Sequence, residues 1–424
     1  MARNMHVIFI GTSSGGGPSL SRNCSSIVAD LIGDGSLWMV DCAEGTLRQF
    51  QTQPRGNESR LRAMKVTKLF VTHMHADHVM GIVPFLRHVL HPPPVVGSSD
   101  TNLPLRKPPS IEIYGPAGLR SFVRNVLSMT FTRTADTYAV HELLTATCAR
   151  TPCDSAALHP SESSGSDLMC GEDGFWRHIT SARGRLGDVV IDAGPIVHKV
   201  PCLGYIFREP SFPHRKLALL GDTCDASAII PLLQSPSPSL LVHEATDAFI
   251  PSEIDPQARR SREEVKEKVL ARGHSTPVMA GQFAKRVGTE RLILNHIGSR
   301  HYQGQGDARF SVIDEISRQA SEAWGMGRAE VAFDYMRVTI PEPRPVVEMN
   351  MGVQEPQIIE GGRMEQEWGD GDGGQGTRGG GRRGGGNDRR AVRDGYVRRE
   401  RGPERGRYHN RRMTDGTDNA GMSR

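Results

Sequence analysis

The sequence predicts an α/β protein of layered build over residues 1–345, followed by a disordered tail over 346–424. Three observations predict it. Short apolar runs alternate with helix-like segments in both halves of the chain, the pattern of strands covered by helices. Several of these runs end at a His or an Asp, at the strand ends where open α/β sheets place their sites. From Glu360 onward the chain is Gly, Arg and Asp with few apolar residues, too few to offset the entropy of ordering.

The elements follow in order. His6–Ile10 reads as a buried strand and Gly11–Pro18 as a Gly- and Ser-rich loop near the site. That loop lacks a GK[ST] ending, so it is not a Walker loop. Ser25–Leu31 and Leu37–Val40 read as strands joined by the turn Gly33-Asp34-Gly35. Asp41 to Gly45 leads into a helix with Thr46 as its N-cap. Lys68–Val71 is a short strand that runs into a His-rich loop, and Val79–Val89 is the helix after it. Two stretches, 92–109 and 152–174, are rich in Pro and Ser or in Ser, Gly and acids, and read as surface insertions. The globular pattern resumes at Asp188 and includes the runs Val189–Val197, Leu217–Leu220 and Leu292–Leu294.

Composition excludes several classes. The seven Cys residues are odd in number and contain no CxxC pair, which argues against a Cys-based zinc site or a disulfide framework. A reducing compartment fits best. No apolar run reaches the length of a membrane span, and the strand at Val7 begins without a charged leader region. The expectation is a cytoplasmic or nuclear protein that does not engage a membrane.

The chemistry concentrates in Thr72-His73-Met74-His75-Ala76-Asp77-His78. Zinc takes imidazole nitrogen and carboxylate oxygen. A tight loop at a strand end can turn His73 and His75 to one side and Asp77 and His78 to a neighbouring position, so that one loop serves two metals. It cannot complete two shells alone. His198, Asp222 and His296 each close an apolar run downstream and are the candidates for the remainder. Asp222 is the natural bridge, since a carboxylate can span two metals and an imidazole normally does not.

The order HxHxDH, His, GDT, His resembles the metallo-β-lactamase superfamily. Accessory segments narrow the likeness: Arg22-Asn23, Asp41-Cys42-Ala43-Glu44-Gly45-Thr46, Gly115-Pro116-Ala117-Gly118-Leu119, His243-Glu244-Ala245-Thr246, Gly273-His274-Ser275-Thr276 and Ser299-Arg300 look like tRNase Z in its short form, over residues 5 to about 302. The resemblance implies an αββα four-layer sandwich and a zinc endoribonuclease that cuts the 3′ trailer from precursor tRNA with a metal-bridging hydroxide. It implies two zinc ions: His73, His75 and His198 on one, Asp77, His78 and His296 on the other, and Asp222 between them. Asp77 would also orient the attacking water. His274 would give the leaving oxygen its proton, held in place by Glu244. Arg300 would contact a backbone phosphate, and Arg22 with the Gly115-Pro116 loop would line the path of the acceptor stem. The family is typically dimeric, so a homodimer is expected.

Two features depart from the family. It usually carries a protruding arm between its GY and GDT motifs, which grips the tRNA elbow; here only Ile206–Lys216 fills that interval. A basic residue common in its PxKxRN stretch is Leu20 here. A broader phosphodiesterase acting on other RNA or small phosphodiesters therefore stands as an alternative, and a non-catalytic RNA-binding protein as one of another class. The tail, with thirteen Arg between Arg378 and Arg412 among many Gly, is expected to bind RNA through phosphate contacts and stacking.

Overall fold

The computed structural model describes residues 4–54, 60–91, 108–302 and 307–342. All of them belong to one compact unit, Met1–Glu348. The expected insertion over 92–109, apart from positions 108 and 109, and the whole expected tail over 346–424 lie outside the described residues.

Two twisted sheets form the centre. Among the described residues the first has nine strands. In spatial order they begin with Arg337–Ile340, Met5–Gly11, Ser26–Asp30 and Leu37–Val40, followed by Val66–Phe70, Ile111–Pro116 and Tyr138–Leu144. The second has seven: Trp176–Arg183, Asp188–Ile196, Cys202–Arg208, Lys216–Leu220, Leu240–Glu244, Leu292–Asn295 and Glu330–Val331. Each sheet starts as an antiparallel meander and continues as parallel strands joined through helices.

Side chains alternate in direction along a strand, so the central strands, covered on both sides, carry two apolar faces. Val7 and Phe9 face the space between the sheets with Trp38, Phe70, Tyr205, Phe207 and Leu219. Ile8 and Ile10 face outward, against Phe50, Ile82, Phe85, Leu86 and Val123 of the first helical layer. On the second sheet Ala218, Leu241 and Leu294 pack outward against Phe283, Val287, Ile316 and Trp324. The result is the expected helix–sheet–sheet–helix sandwich.

Three local expectations are corrected. The first helix, Thr46–Gln51, is capped by Gly45 at φ 81°, and Thr46 is a buried first-turn residue without a capping bond. A Cβ at Gly45 would stand 2.3 Å from Asn23 Oδ1, so the turn needs glycine. The helix read over Val79–Val89 is two helices, Ala76–Val79 and Ile82–Val89. They part at Gly81, where a Cβ would lie 1.9 Å from the Ala43 carbonyl. The segment 152–174 is not a mere surface excursion. Its short strands Glu162–Ser163 and Asp167–Met169 pair with Tyr138–Leu144. Glu162 is buried and grips Arg124 at 2.7 and 2.9 Å, and Asp167 holds the buried Arg120 at 2.9 Å. Edge strands that bury ion pairs carry no apolar signature, so their polar sequence hid them.

Where an arm was looked for, the chain makes a short turn between Cys202–Arg208 and Lys216–Leu220. Glu209 closes it on Arg215 at 2.9 and 2.7 Å. No helix among the described residues is long and apolar enough to cross a membrane.

Candidate metal centre

Strand ends from both sheets converge. Val66–Phe70 delivers the loop His73–His78, Lys216–Leu220 delivers Asp222, and Leu292–Asn295 delivers His296; all leave from the C-terminal ends of parallel strands. His198 follows Asp188–Ile196. The backbone is left-handed at Asp41 (φ 58°) and His296 (φ 53°), uncommon for non-glycine residues and a mark of a position fixed by its surroundings.

Among the described residues, atoms that could bind a metal fall into groups whose members lie within 4.8 Å of one another: His73, His75, His198 and Asp222 in one, Asp77, His78 and His296 in another, and Asp222, His274 and His296 in a third. In the first, His75 Nδ1 stands 3.0 Å from His73 Nε2 and 3.2 Å from His198 Nε2. In the second, Asp77 Oδ2 stands 3.3 Å from His296 Nε2 and 3.7 Å from His78 Nε2. Asp222 Oδ2 reaches both: 3.7 Å from His73 Nε2, 3.5 Å from His78 Nε2 and 3.3 Å from His296 Nε2.

The other nitrogen of each ring fixes its tautomer. His198 Nδ1 meets the Gly273 carbonyl at 2.7 Å, which can only accept, so the hydrogen is on Nδ1 and the lone pair on Nε2. Asp41 Oδ2 does the same for His78 at 2.8 Å. Thr246 Oγ1 donates to Glu244 at 2.7 Å and so accepts from His296 Nδ1 at 2.9 Å. Thr72 Oγ1 donates to Asp41 at 2.9 Å and accepts from His73 Nδ1 at 3.1 Å. Four imidazole lone pairs therefore point into one small space with two carboxylates, and His78 Nε2 is buried there without a hydrogen-bond partner. That donor set fits a divalent metal of the zinc type.

Electrostatics agree. Burial, with His78 beside it, drives His73 down to about 2, and burial lowers His75 and His198, so all three stay neutral. Burial opposes ionisation of Asp77, but its bond to His296 and the neighbouring His78 outweigh that and hold it below the carboxylate range. Asp222 is held low in the same way, by His296 and His78 against burial. His78 differs: Asp222 and Asp41 overcome its burial and raise it, so a cation there displaces a proton.

His274 stands at the border of the two groups, its ring 5.0 Å from His198 and 5.4 Å from His296. Its Nδ1 donates to Glu244 Oε1 at 2.9 Å. Glu244 is buried and saturated, accepting also from the Thr223 and Thr246 amides at 3.0 Å each. Burial lowers the His274 pKa, but Glu244 and then Asp222 raise it above the ordinary imidazole value.

The expected substrate contacts fare differently. Arg22 is buried, its Nη1 donating to Thr12 Oγ1 at 2.9 Å and the Ala332 carbonyl at 2.5 Å, so it braces the Gly-rich loop from the wall of a cleft it shares with Arg48 and Tyr335. Gly115 and Pro116 are buried at the end of their strand, and a Cβ on Gly115 would lie 2.6 Å from Leu119 and 2.9 Å from Val71; they pack and do not face solvent. Arg300 is exposed and lines the cleft that holds His274.

Sequence reading missed Asp41 and Thr246, whose bonds orient two imidazoles, and the Gly15 amide, which donates to Asp77 Oδ2 at 2.7 Å. Asp41 closes the apolar strand Leu37–Val40, the same signal that singled out Asp222.

The family model for the beta-lactamase superfamily domain matches residues 38–297. Ribonuclease Z of Bacillus velezensis is 28% identical over 357 residues, covering 79% of this chain and 99% of that protein. The human zinc phosphodiesterase ELAC protein 1 is 26% identical over 401 residues, covering 80% of this chain and 99% of its own. The crystal structure of human tRNase Z, short form, superposes with a TM-score of 0.54 at 28% identity, over 79% of this chain and 99% of that one. With the family model spanning well over half of the chain and the ligand sets in place, the protein belongs to the metallo-β-lactamase superfamily.

Proposed function

We propose that this chain is a two-zinc endoribonuclease that removes the 3′ trailer from precursor tRNA. The observation that carries the reading is Asp222 Oδ2, one oxygen within 3.3–3.7 Å of nitrogens from both ligand groups, with the His274–Glu244 pair at their border. His73, His75 and His198 would hold one ion, Asp77, His78 and His296 the other, and Asp222 both. Such ions supply Lewis acidity toward a phosphoryl oxygen and lower the pKa of water to near neutral. Asp77, ionised and pinned by the Gly15 amide, orients the attacking water. Protonated His274, its Nδ1 engaged by Glu244, presents Nε2 to the leaving oxygen and gives it a proton. Glu244 is a positioning residue, and Arg300 contacts a backbone phosphate. The similarity to ribonuclease Z and to human tRNase Z over almost their whole length supports RNA as the substrate.

A second reading, a broader phosphodiesterase, is favoured by the short closed turn at Glu209–Arg215, which offers no arm for a tRNA elbow. Incubating the zinc-loaded protein with a precursor tRNA and, separately, with bis(p-nitrophenyl) phosphate separates the two. Release of the trailer at the discriminator base is expected; hydrolysis of the small diester with no cut in the tRNA would replace the first reading by the second.

A further inference from the structure

The helix Arg262–Ala271 ends beside the centre, and Lys268 and Arg272, four residues apart, lie on the same face of its last turn. Both line one cleft with Ser14, Thr246, Arg300 and His274. Both are exposed, and neither has a carboxylate partner among the described residues. Arg300 enters the cleft from a separate element, after His296. The carboxylate it pairs with among the described residues, Asp247, is already bound in bidentate fashion by Arg260 at 2.6 and 2.9 Å and by His301 at 3.0 Å, leaving Arg300 a loose contact at 3.4 Å. Three cations therefore meet one satisfied carboxylate. The cleft measures about 160 Å³, small beside the roughly 300–1,000 Å³ of pockets for drug-sized ligands. It suits a single phosphate group. Arg300 also walls an adjoining cleft of about 660 Å³, with Ile250, Ile254 and Val265 on its apolar side, so a nucleotide chain has room to continue.

We propose that Lys268 and Arg272, with Arg300, grip the backbone phosphate next to the scissile one on an RNA strand, and so set the preference for RNA over small phosphodiesters. The inference rests on the RNA-hydrolase reading above. Like-charged side chains that converge are costly in the free protein and relieved by a polyanionic strand, each phosphodiester of which brings one negative charge. Lys and Arg in a helix's last turn also complement its dipole, but that role concerns stability and predicts nothing about a substrate's charge.

The test uses the full-length zinc protein and precursor tRNA carrying one neutral methylphosphonate, placed in turn at each linkage flanking the cut. The unmodified enzyme should lose about ten-fold in kcat/KM at one adjacent linkage. Lys268→Gln with Arg272→Gln should raise KM for ordinary RNA about ten-fold, lower the ratio of RNA to bis(p-nitrophenyl) phosphate turnover accordingly, and no longer respond to that linkage. Lys268→Arg with Arg272→Lys should recover most of the preference. A double variant as sensitive to the neutral linkage as the parent overturns the proposal, as do RNA and small-diester rates that fall together. A parent enzyme that cuts the small diester and no RNA removes the RNA reading itself, and the clamp with it, and is recognised before any variant is made.

Discussion

Asp41 occupies no ligand position, yet both its oxygens work at the centre. Oδ2 holds His78 at 2.8 Å, and Oδ1 accepts from the Thr72 amide at 2.8 Å. Asp41→Ala should leave the fold standing and weaken metal binding by about 10- to 100-fold, read by competition with a chromophoric chelator; an unchanged affinity would show that His78 orients itself. His274 makes a different prediction. Removing it should retain the bound metal and slow turnover by about 10²- to 10⁴-fold; loss of metal in His274→Ala would make it a ligand instead. The Glu244 bond favours the protonated ring, against the cations that the neighbouring ligands would hold. Activity that needs the protonated ring declines as pH rises through the pKa of His274. Glu244→Gln lowers the pKa, and the alkaline limb of kcat should move to lower pH; a limb that stays in place would assign it to another group. The convergence of the candidate ligands was legible in the sequence because His73 to His78 are neighbours in one loop and His198, Asp222 and His296 each end an apolar run. The roles of Arg22 and Gly115 were not. A motif position does not say whether a guanidinium points outward, and Arg22 spends its donors on Thr12 and Ala332.

At the level of elements, the strand Val66–Phe70 holds the loop steady from behind. Phe70 is fully buried between the sheets, with ring centroids 5.3 Å from Tyr114, Tyr205 and Phe207. Phe70→Ala should cost about 3–5 kcal/mol of stability, measured by denaturant unfolding; a loss below about 1 kcal/mol would mean that the inter-sheet core does not anchor this strand. The central strands could be read as continuous apolar runs, because they bury both faces. The break at Gly81 could not, since it depends on the approach of the Ala43 carbonyl from another segment. Nor could the strands at Glu162–Ser163 and Asp167–Met169, which exist through their pairing with Tyr138–Leu144 and through buried Arg–carboxylate pairs. The cleft of Lys268, Arg272 and Arg300 was hidden for the same reason: two of its cations come from a helix end and the third from a strand end about thirty positions on.

Across the whole molecule, the layered sandwich brings the ends of both sheets to one rim and so assembles a metal centre from segments more than 200 positions apart, as in the contact of Asp77 with His296. The short turn at Glu209–Arg215 withholds an arm, and RNA affinity must come from elsewhere. The Arg- and Gly-rich segment 346–424 is the expected source. Ending the chain at residue 345 should weaken RNA binding and flatten its dependence on salt, while sparing hydrolysis of bis(p-nitrophenyl) phosphate; an unchanged slope in a filter-binding titration would remove the tail from the account. In the proposed enzyme Asp222 joins two ligand sets into one working site. The most direct measurement of that joining is a titration of zinc into the metal-stripped protein, with bound zinc and release of the 3′ trailer from precursor tRNA followed together. Two equivalents should bind, with trailer release rising as the second site fills and Asp222→Ala failing to reach it. Full activity at one equivalent, or in the stripped protein, would contradict the joined site.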